Sequence, residues 1–255
     1  MVFRDTPWPE GTPCWVDAMV PDVQRATAFY SALLGWRLDD QGSEFAHYQI
    51  AKVDGRNVAA ISPKPSETAG MPAVWTTYLA VTDVDKMAAK ITEAGGQLLM
   101  PPGDVGNKGR VAIAADPSGA VFGLWQAGEI TGVRISDVPG ALVWNECMTS
   151  DFEGGKAFYA EVFGYQVEDM SSAEFSYATL KLNDRPSCGL GALPAEVPSH
   201  WSVYFGVSDT DSAVAKIREL GGTLNGEPHD SPYGRMAEVA DDQGVPFNII
   251  SVHGG

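Results

Sequence analysis

Apolar and polar positions change rhythm repeatedly along this chain, and the changes mark its elements. Trp15 to Val20 is short and aromatic, which suits a strand. Asp22 can cap the following run from Val23 to Leu34, where Val23, Ala26, Phe29, Tyr30 and Leu33 recur at helical spacing before Gly35 ends the helix. Strand-like runs follow at Trp36 to Leu38, Ala46 to Ile50 and Val58 to Ile61, with turn residues between them. The order then repeats. Thr76 to Val81 reads as a strand, Asp83 as a cap, and Val84, Met87, Ala88 and Ile91 as one helical face ending at Gly95-Gly96. Strands are expected at Gln97 to Met100, Val111 to Ala114 and Val121 to Trp125. Each unit thus reads βαβββ, an α+β arrangement.

The remainder of the chain is a second copy. Trp15 to Trp36 aligned with Trp144 to Tyr165 matches at 7 of 22 positions, and Trp75 to Gly96 aligned with Trp201 to Gly222 matches at 11 of 22. The pairs Gly109-Arg110 and Gly234-Arg235, and the turns starting at Asp116 and Asp241, follow in the same order. Asp151 and Asp209 take the capping role, and Gly164 and Gly221-Gly222 end the helices. A repeat of about 125 residues is a domain length rather than a solenoid period. The reading is therefore four βαβββ modules in two tandem domains, 1–127 and 141–255, joined by a linker at 128–140. Each domain is large enough to bury a core.

Composition narrows the function. With 17 basic and 33 acidic residues the formal charge is −16, which argues against nucleic-acid binding because nothing offsets repulsion from phosphates. Apolar runs are too short for a membrane span, and no signal-type segment opens the sequence. Three cysteines without CxxC spacing fit buried thiols in a reducing compartment, so a cytoplasmic protein is expected.

The capped run ending in Ala-Phe-Tyr and Leu-Gly, the late Asp-Pro-Ser-Gly turn, and the βαβββ order given twice over resemble the vicinal oxygen chelate superfamily, which includes glyoxalases, bleomycin-resistance proteins and extradiol dioxygenases. The phrases Gly11 to Asp17, Asp116 to Gln126 and Trp144-Asn-Glu146 resemble an actinobacterial tandem-domain branch labelled glyoxalase-like or hydroxylase. The resemblance implies curved mixed sheets forming cups. In metal-using members, two His and one Glu in a cup hold a divalent ion. Counted from the capping and late Asp residues, those positions fall on Trp15, Thr76 and Gly123 in the first half, and on Trp144, Ser202 and Asn248 in the second. Such sets do not supply the three strong donors of a catalytic divalent site, so no metal and no other cofactor is expected.

Strand alternation turns Asp17 and Met19 to the same face as Trp15, and Glu146 and Met148 to that of Trp144. An acid beside Trp and Met is a candidate proton-transfer group with a raised pKa. The plainer possibility is that each acid holds an arginine, for instance Arg110 or Arg235, or a backbone amide. Tyr78 and Tyr204 lie two residues past the vacant His positions and suit carbonyl polarisation. Tyr48 and Tyr177 on neighbouring strands, with His47, complete the expected lining. Trp15 and Trp144 occupy the metal's place and should either plug the cup or stack on a ligand. Trp125 reads better as core. Of the other histidines, His200 precedes the Ser202 position, whereas His229 and His253 are expected in solvent.

The expectation is a monomer or homodimer that binds, or binds and transforms, a small aromatic or carbonyl metabolite. Catalysis would use Asp17, Glu146, Tyr78 and Tyr204. The alternative is a metal-dependent lyase, isomerase or oxygenase of the same superfamily.

Overall fold

A computed structural model describes residues 1–66 and 70–252. Four helices carry the capping logic of the sequence: α1 (Val23–Leu34), α2 (Val84–Glu93), α3 (Phe152–Phe163) and α4 (Thr210–Glu219). Asp22 accepts from the amides of Gln24 and Arg25, and Asp83, Asp151 and Asp209 each accept from the amide three residues on. These bonds satisfy donors that a helix start leaves open. Gly35 ends α1 at φ +70°, a conformation costly for any residue with a Cβ. No described helix is long and apolar enough to cross a membrane.

The first half forms an eight-stranded mixed sheet in the order Arg37–Asp40, Gln49–Val53, Arg56–Pro63, Pro13–Val20, Trp75–Ala80, Val121–Ala127, Gly109–Ala115 and Gln97–Val105. Its two modules meet where Pro13–Val20 and Trp75–Ala80 run antiparallel, setting Trp15 opposite Tyr78 and Asp17 opposite Thr76. The second half repeats the seam between Leu142–Thr149 and His200–Val207, with Trp144 opposite Tyr204 and Glu146 opposite Ser202. Both sheets are curved and mixed.

The expectation of one core per half gives way to two cores that each draw on both halves. One joins Tyr30, Trp36 and Trp75 to Phe205, Ile217 and Phe247; the other joins Met87, Phe122 and Leu124 to Tyr159, Phe163 and Trp201. A module cannot cover both the sheet and the helix it carries, so each borrows apolar surface from the opposite half. Polar bonds lock this exchange. Trp75 Nε1 donates to the Tyr30 hydroxyl at 3.1 Å, which donates across to Asp241 Oδ2 at 3.2 Å. In the mirror arrangement, Trp201 Nε1 donates to Tyr159 and Tyr159 to Asp116 Oδ2, both at 3.0 Å. The other oxygen of each aspartate holds its own turn, through the amides of Ser118 and Ala120 or of Gln243 and Val245.

The connecting segment also participates. Val133 and Ile135 are buried, and Ile135–Ser136 pairs with Val2–Phe3. The strand expected at Ala46 to Ile50 begins only at Gln49, because Ala46 and His47 adopt left-handed backbone angles after a short 3-10 turn at Ser43–Phe45.

Replacing Tyr30 with Phe orphans the buried Trp75 donor and loosens Asp241. The expected cost is about 1–3 kcal/mol. Because the cores are shared, denaturant unfolding followed by tryptophan fluorescence and by circular dichroism should give one coincident transition; two separated transitions would show that the halves are independent.

Candidate ligand-binding cups

One four-residue arrangement appears twice. In the first cup, Tyr48 donates to Asp17 Oδ2 at 2.8 Å, Tyr78 lies 3.1 Å from both carboxylate oxygens, and Trp15 Nε1 donates to the Tyr48 hydroxyl at 2.9 Å. In the second, Tyr177 donates to Glu146 Oε2 at 2.9 Å, Tyr204 to Oε1 at 2.5 Å, and Trp144 Nε1 to Tyr177 at 3.1 Å. Register places these side chains: the seam sets each Trp opposite its seam tyrosine, and Asp17 and Glu146 lie beside Ala60 and Gly189 of the next parallel strands.

Burial governs the electrostatics. Asp17 is 5% exposed, and its pKa is lifted from an ordinary 3.8 to about 6 against the opposing pull of the two phenols. Burial also raises the Glu146 carboxyl; the two phenols oppose that rise, and the charge of Glu238 adds to it. Tyr48, Tyr78, Tyr177 and Tyr204 are all pushed up by burial and the adjacent carboxylate, which keeps them as donors.

Glycines make room for the rings, a role the sequence reading missed. A Cβ on Gly123 would fall inside the Tyr78 ring, and one on Gly189 would collide with the Tyr177 hydroxyl. In the second half Asn248 occupies the position of Gly123, and its amide lies 3.4 Å from the Val203 carbonyl.

The remaining candidates distribute unevenly. Thr76 and Ser202 are half-buried opposite the two acids, and Met148 lies on Gly191. Met19 is 43% exposed. His47 departs from expectation: it sits on the exposed left-handed turn, bonded to Asp40 at 3.0 Å. His200 is exposed against the Pro198 carbonyl, and His253 lies outside the described residues. The arginine alternative is corrected outright, since Arg110 pairs with Asp85 and Asp104, and Arg235 with Asp211 and Asp230. Trp125 is buried, donating to the Ile130 carbonyl.

Family comparisons agree with this architecture. Residues 14–124 match the Glyoxalase/Bleomycin resistance protein/Dioxygenase superfamily, and residues 143–250 match the Glyoxalase-like domain. The chain belongs to this superfamily. CFP32 of Mycobacterium tuberculosis, which bears a provisional glyoxylase name, is 40% identical over 94% of this chain and 95% of its own length. The anthracycline biosynthesis protein DauV of a Streptomyces species is 35% identical over 95% of this chain and 94% of its own. In fold, the Mn(II)-bound glyoxalase of Novosphingobium aromaticivorans superposes with a TM-score of 0.67 at 17% identity, covering 95% of this chain and 83% of that one.

The divalent ion of such superfamily members does not fit the residues here. Trp15, Thr76 and Gly123 offer one hydroxyl, and the Tyr78 ring covers Gly123, where the third donor would stand. Asp17 and Glu146 have both oxygens engaged by phenols. Among the described residues, no three His, Cys, Asp or Glu side chains gather in metal-binding proximity.

Gly123→Ala should drive Tyr78 from Asp17 and destabilise the fold by about 1–3 kcal/mol, measured by denaturant titration. Asp17 also leaves a signature in pH. Because its folded pKa is raised, the stability it contributes is full below pH ~4 and declines as pH rises toward ~6. The shift is worth about 3 kcal/mol. The stability of the wild type relative to Asp17→Asn should fall by about that amount between pH 4 and 7. A difference that stays flat across this range would show that Asp17 is ionised throughout.

Proposed function

We propose that this protein binds a small planar aromatic or carbonyl compound in an aromatic-lined cup, without a metal, and that the enclosed carboxylate exchanges a proton with the bound molecule. The observation that carries this reading is the duplicated Trp–Tyr–carboxylate–Tyr group on the seam of each half. The tryptophan and tyrosine rings supply flat apolar area, and the phenols supply oriented donors. A phenol that turns from the carboxylate to a ligand carbonyl would polarise it. The carboxyl it leaves becomes less stabilised as an anion, so its proton affinity rises as the ligand is engaged. A buried acid of this kind can donate a proton to an oxygen or accept one from carbon near neutral pH.

The kinship with a protein named for anthracycline biosynthesis supports an aromatic ligand. Cys14, Cys147 and Cys188 are buried and unpaired, which supports a reducing, cytoplasmic setting.

Acridone, a neutral planar ketone, tests the reading. Its titration should quench tryptophan fluorescence, and its own emission should shift as its carbonyl accepts a phenolic hydrogen bond. Tyr204→Phe should weaken binding about three- to tenfold and reduce that shift, while Glu146→Gln should retain binding. Failure to bind both acridone and its cationic tricyclic analogue proflavine would overturn the proposal. So would a tightly held stoichiometric divalent ion found by elemental analysis, which would favour the metal-dependent alternative.

A further inference from the structure

The two cups share their central group and differ in nearly everything around it. On the sheet face that carries Tyr78, the chain across Gly123 presents Ile113, and Val111 lies on the same strand. Both pack against the core cluster containing Trp15, Tyr78 and Trp125. At the mouth, the Phe45 ring lies against Gly106 of the opposite hairpin, 3.7 Å from where a Cβ would stand. Trp15, Asp17 and Tyr78 are consequently each 5% exposed. In this cup Trp15, Asp17 and Tyr78 are covered by the protein's own side chains, while Tyr48 stays half-buried.

In the second half the same register runs from Tyr204 through Asn248 to Glu238, with Met236 in place of Val111. Glu238 is exposed. Arg235, three residues earlier, is committed to Asp211 and Asp230, leaving Glu238 without a protein cation among the described residues. Glu146 is buried as Asp17 is, and Tyr177 is half-buried as Tyr48 is, but Trp144 and Tyr204 are half-buried where Trp15 and Tyr78 are buried, so these two rings retain free surface. The segments corresponding to the mouth of the first cup carry Phe175 and Tyr233, 57% and 70% exposed.

Resting on the function proposed above, we propose that only the second cup receives ligand and that Glu238 makes it selective for planar compounds bearing a positive charge. Aromatic faces and an unpaired carboxylate attract a cationic ring system together, the faces through their quadrupole and the acid through its charge. The formal charge of −16 favours the encounter. The first cup then acts as a scaffold: its buried Asp17 group fixes the seam, and its Trp15 and Tyr78 rings are covered. Phe175 and Tyr233 provide apolar surface at the entrance, where a bound ring system would cover them.

Two tricyclic probes of similar shape separate the possibilities, acridone as the neutral compound and proflavine as the cation, titrated at pH 8 by calorimetry on the full chain. One site per chain is expected, with proflavine bound more tightly. Glu238→Gln should lower the ratio of proflavine to acridone affinity about fivefold. Ser202→Trp, which fills the second cup, should abolish binding of both probes while circular dichroism stays unchanged. Two sites per chain, binding that survives Ser202→Trp in folded protein, or an affinity ratio unaltered by Glu238→Gln would each overturn this inference and leave the proposed function standing. Failure of wild-type protein to bind either probe would remove the proposed function and this inference together.

Discussion

A carboxylate enclosed in a sheet interior survives only if its oxygens are met by donors, and in this protein phenols meet them. The constraint organises much of the site. It requires a tyrosine on the seam strand and another on the adjacent hairpin, with a tryptophan to orient the second hydroxyl. In the first cup the Tyr78 ring needs Gly123 beneath it, and in the second the Tyr177 hydroxyl needs Gly189. The seam of each half thereby holds a hydrogen-bonded polar group centred on a carboxyl of raised pKa. Because the donors are neutral, they moderate the cost of burying charge without cancelling it, and both carboxyls keep a raised pKa.

The same economy of neutral donors appears between the halves. Each late aspartate turns one oxygen to its own loop and the other to a tyrosine of the opposite half. Duplication has given two modules of each half a surface that the other half completes, so the tandem chain is held by crossed cores rather than by a tether. The connecting segment is packed accordingly. Where the first half carries Ile113 and Val111, the same register positions of the second half carry Glu238 and Met236.

Much of the architecture was legible. Asp caps, glycine stops and the near-identical strand–helix windows identify four modules, because helix ends and turns depend on local chemistry. The pairing of Asp17 with Trp15 on one face follows from strand alternation, and the family resemblance implied ligand positions that fall on Trp15, Thr76 and Gly123, and on Trp144, Ser202 and Asn248. His47 was misplaced because nothing local announces that Ala46 and His47 take left-handed angles after Ser43–Phe45. The arginine partners were misassigned because Arg110 and Arg235 each have acids of their own nearby, at Asp85 and Asp104 or Asp211 and Asp230, a choice made by hairpin geometry.

By itself the sequence determined the modules, their duplication, the absence of three strong donors at the superfamily's ligand positions, and one acid on the inner face of each seam. These depend on residue identity and on the two-residue period of a strand. Tertiary structure alone decided which tyrosine hydroxyls reach each carboxylate, how the halves exchange cores, and how far each tryptophan and seam tyrosine is covered. Those outcomes depend on strands distant in sequence arriving side by side, where a glycine, an isoleucine or a glutamate at one register position determines the space and charge available to its neighbours.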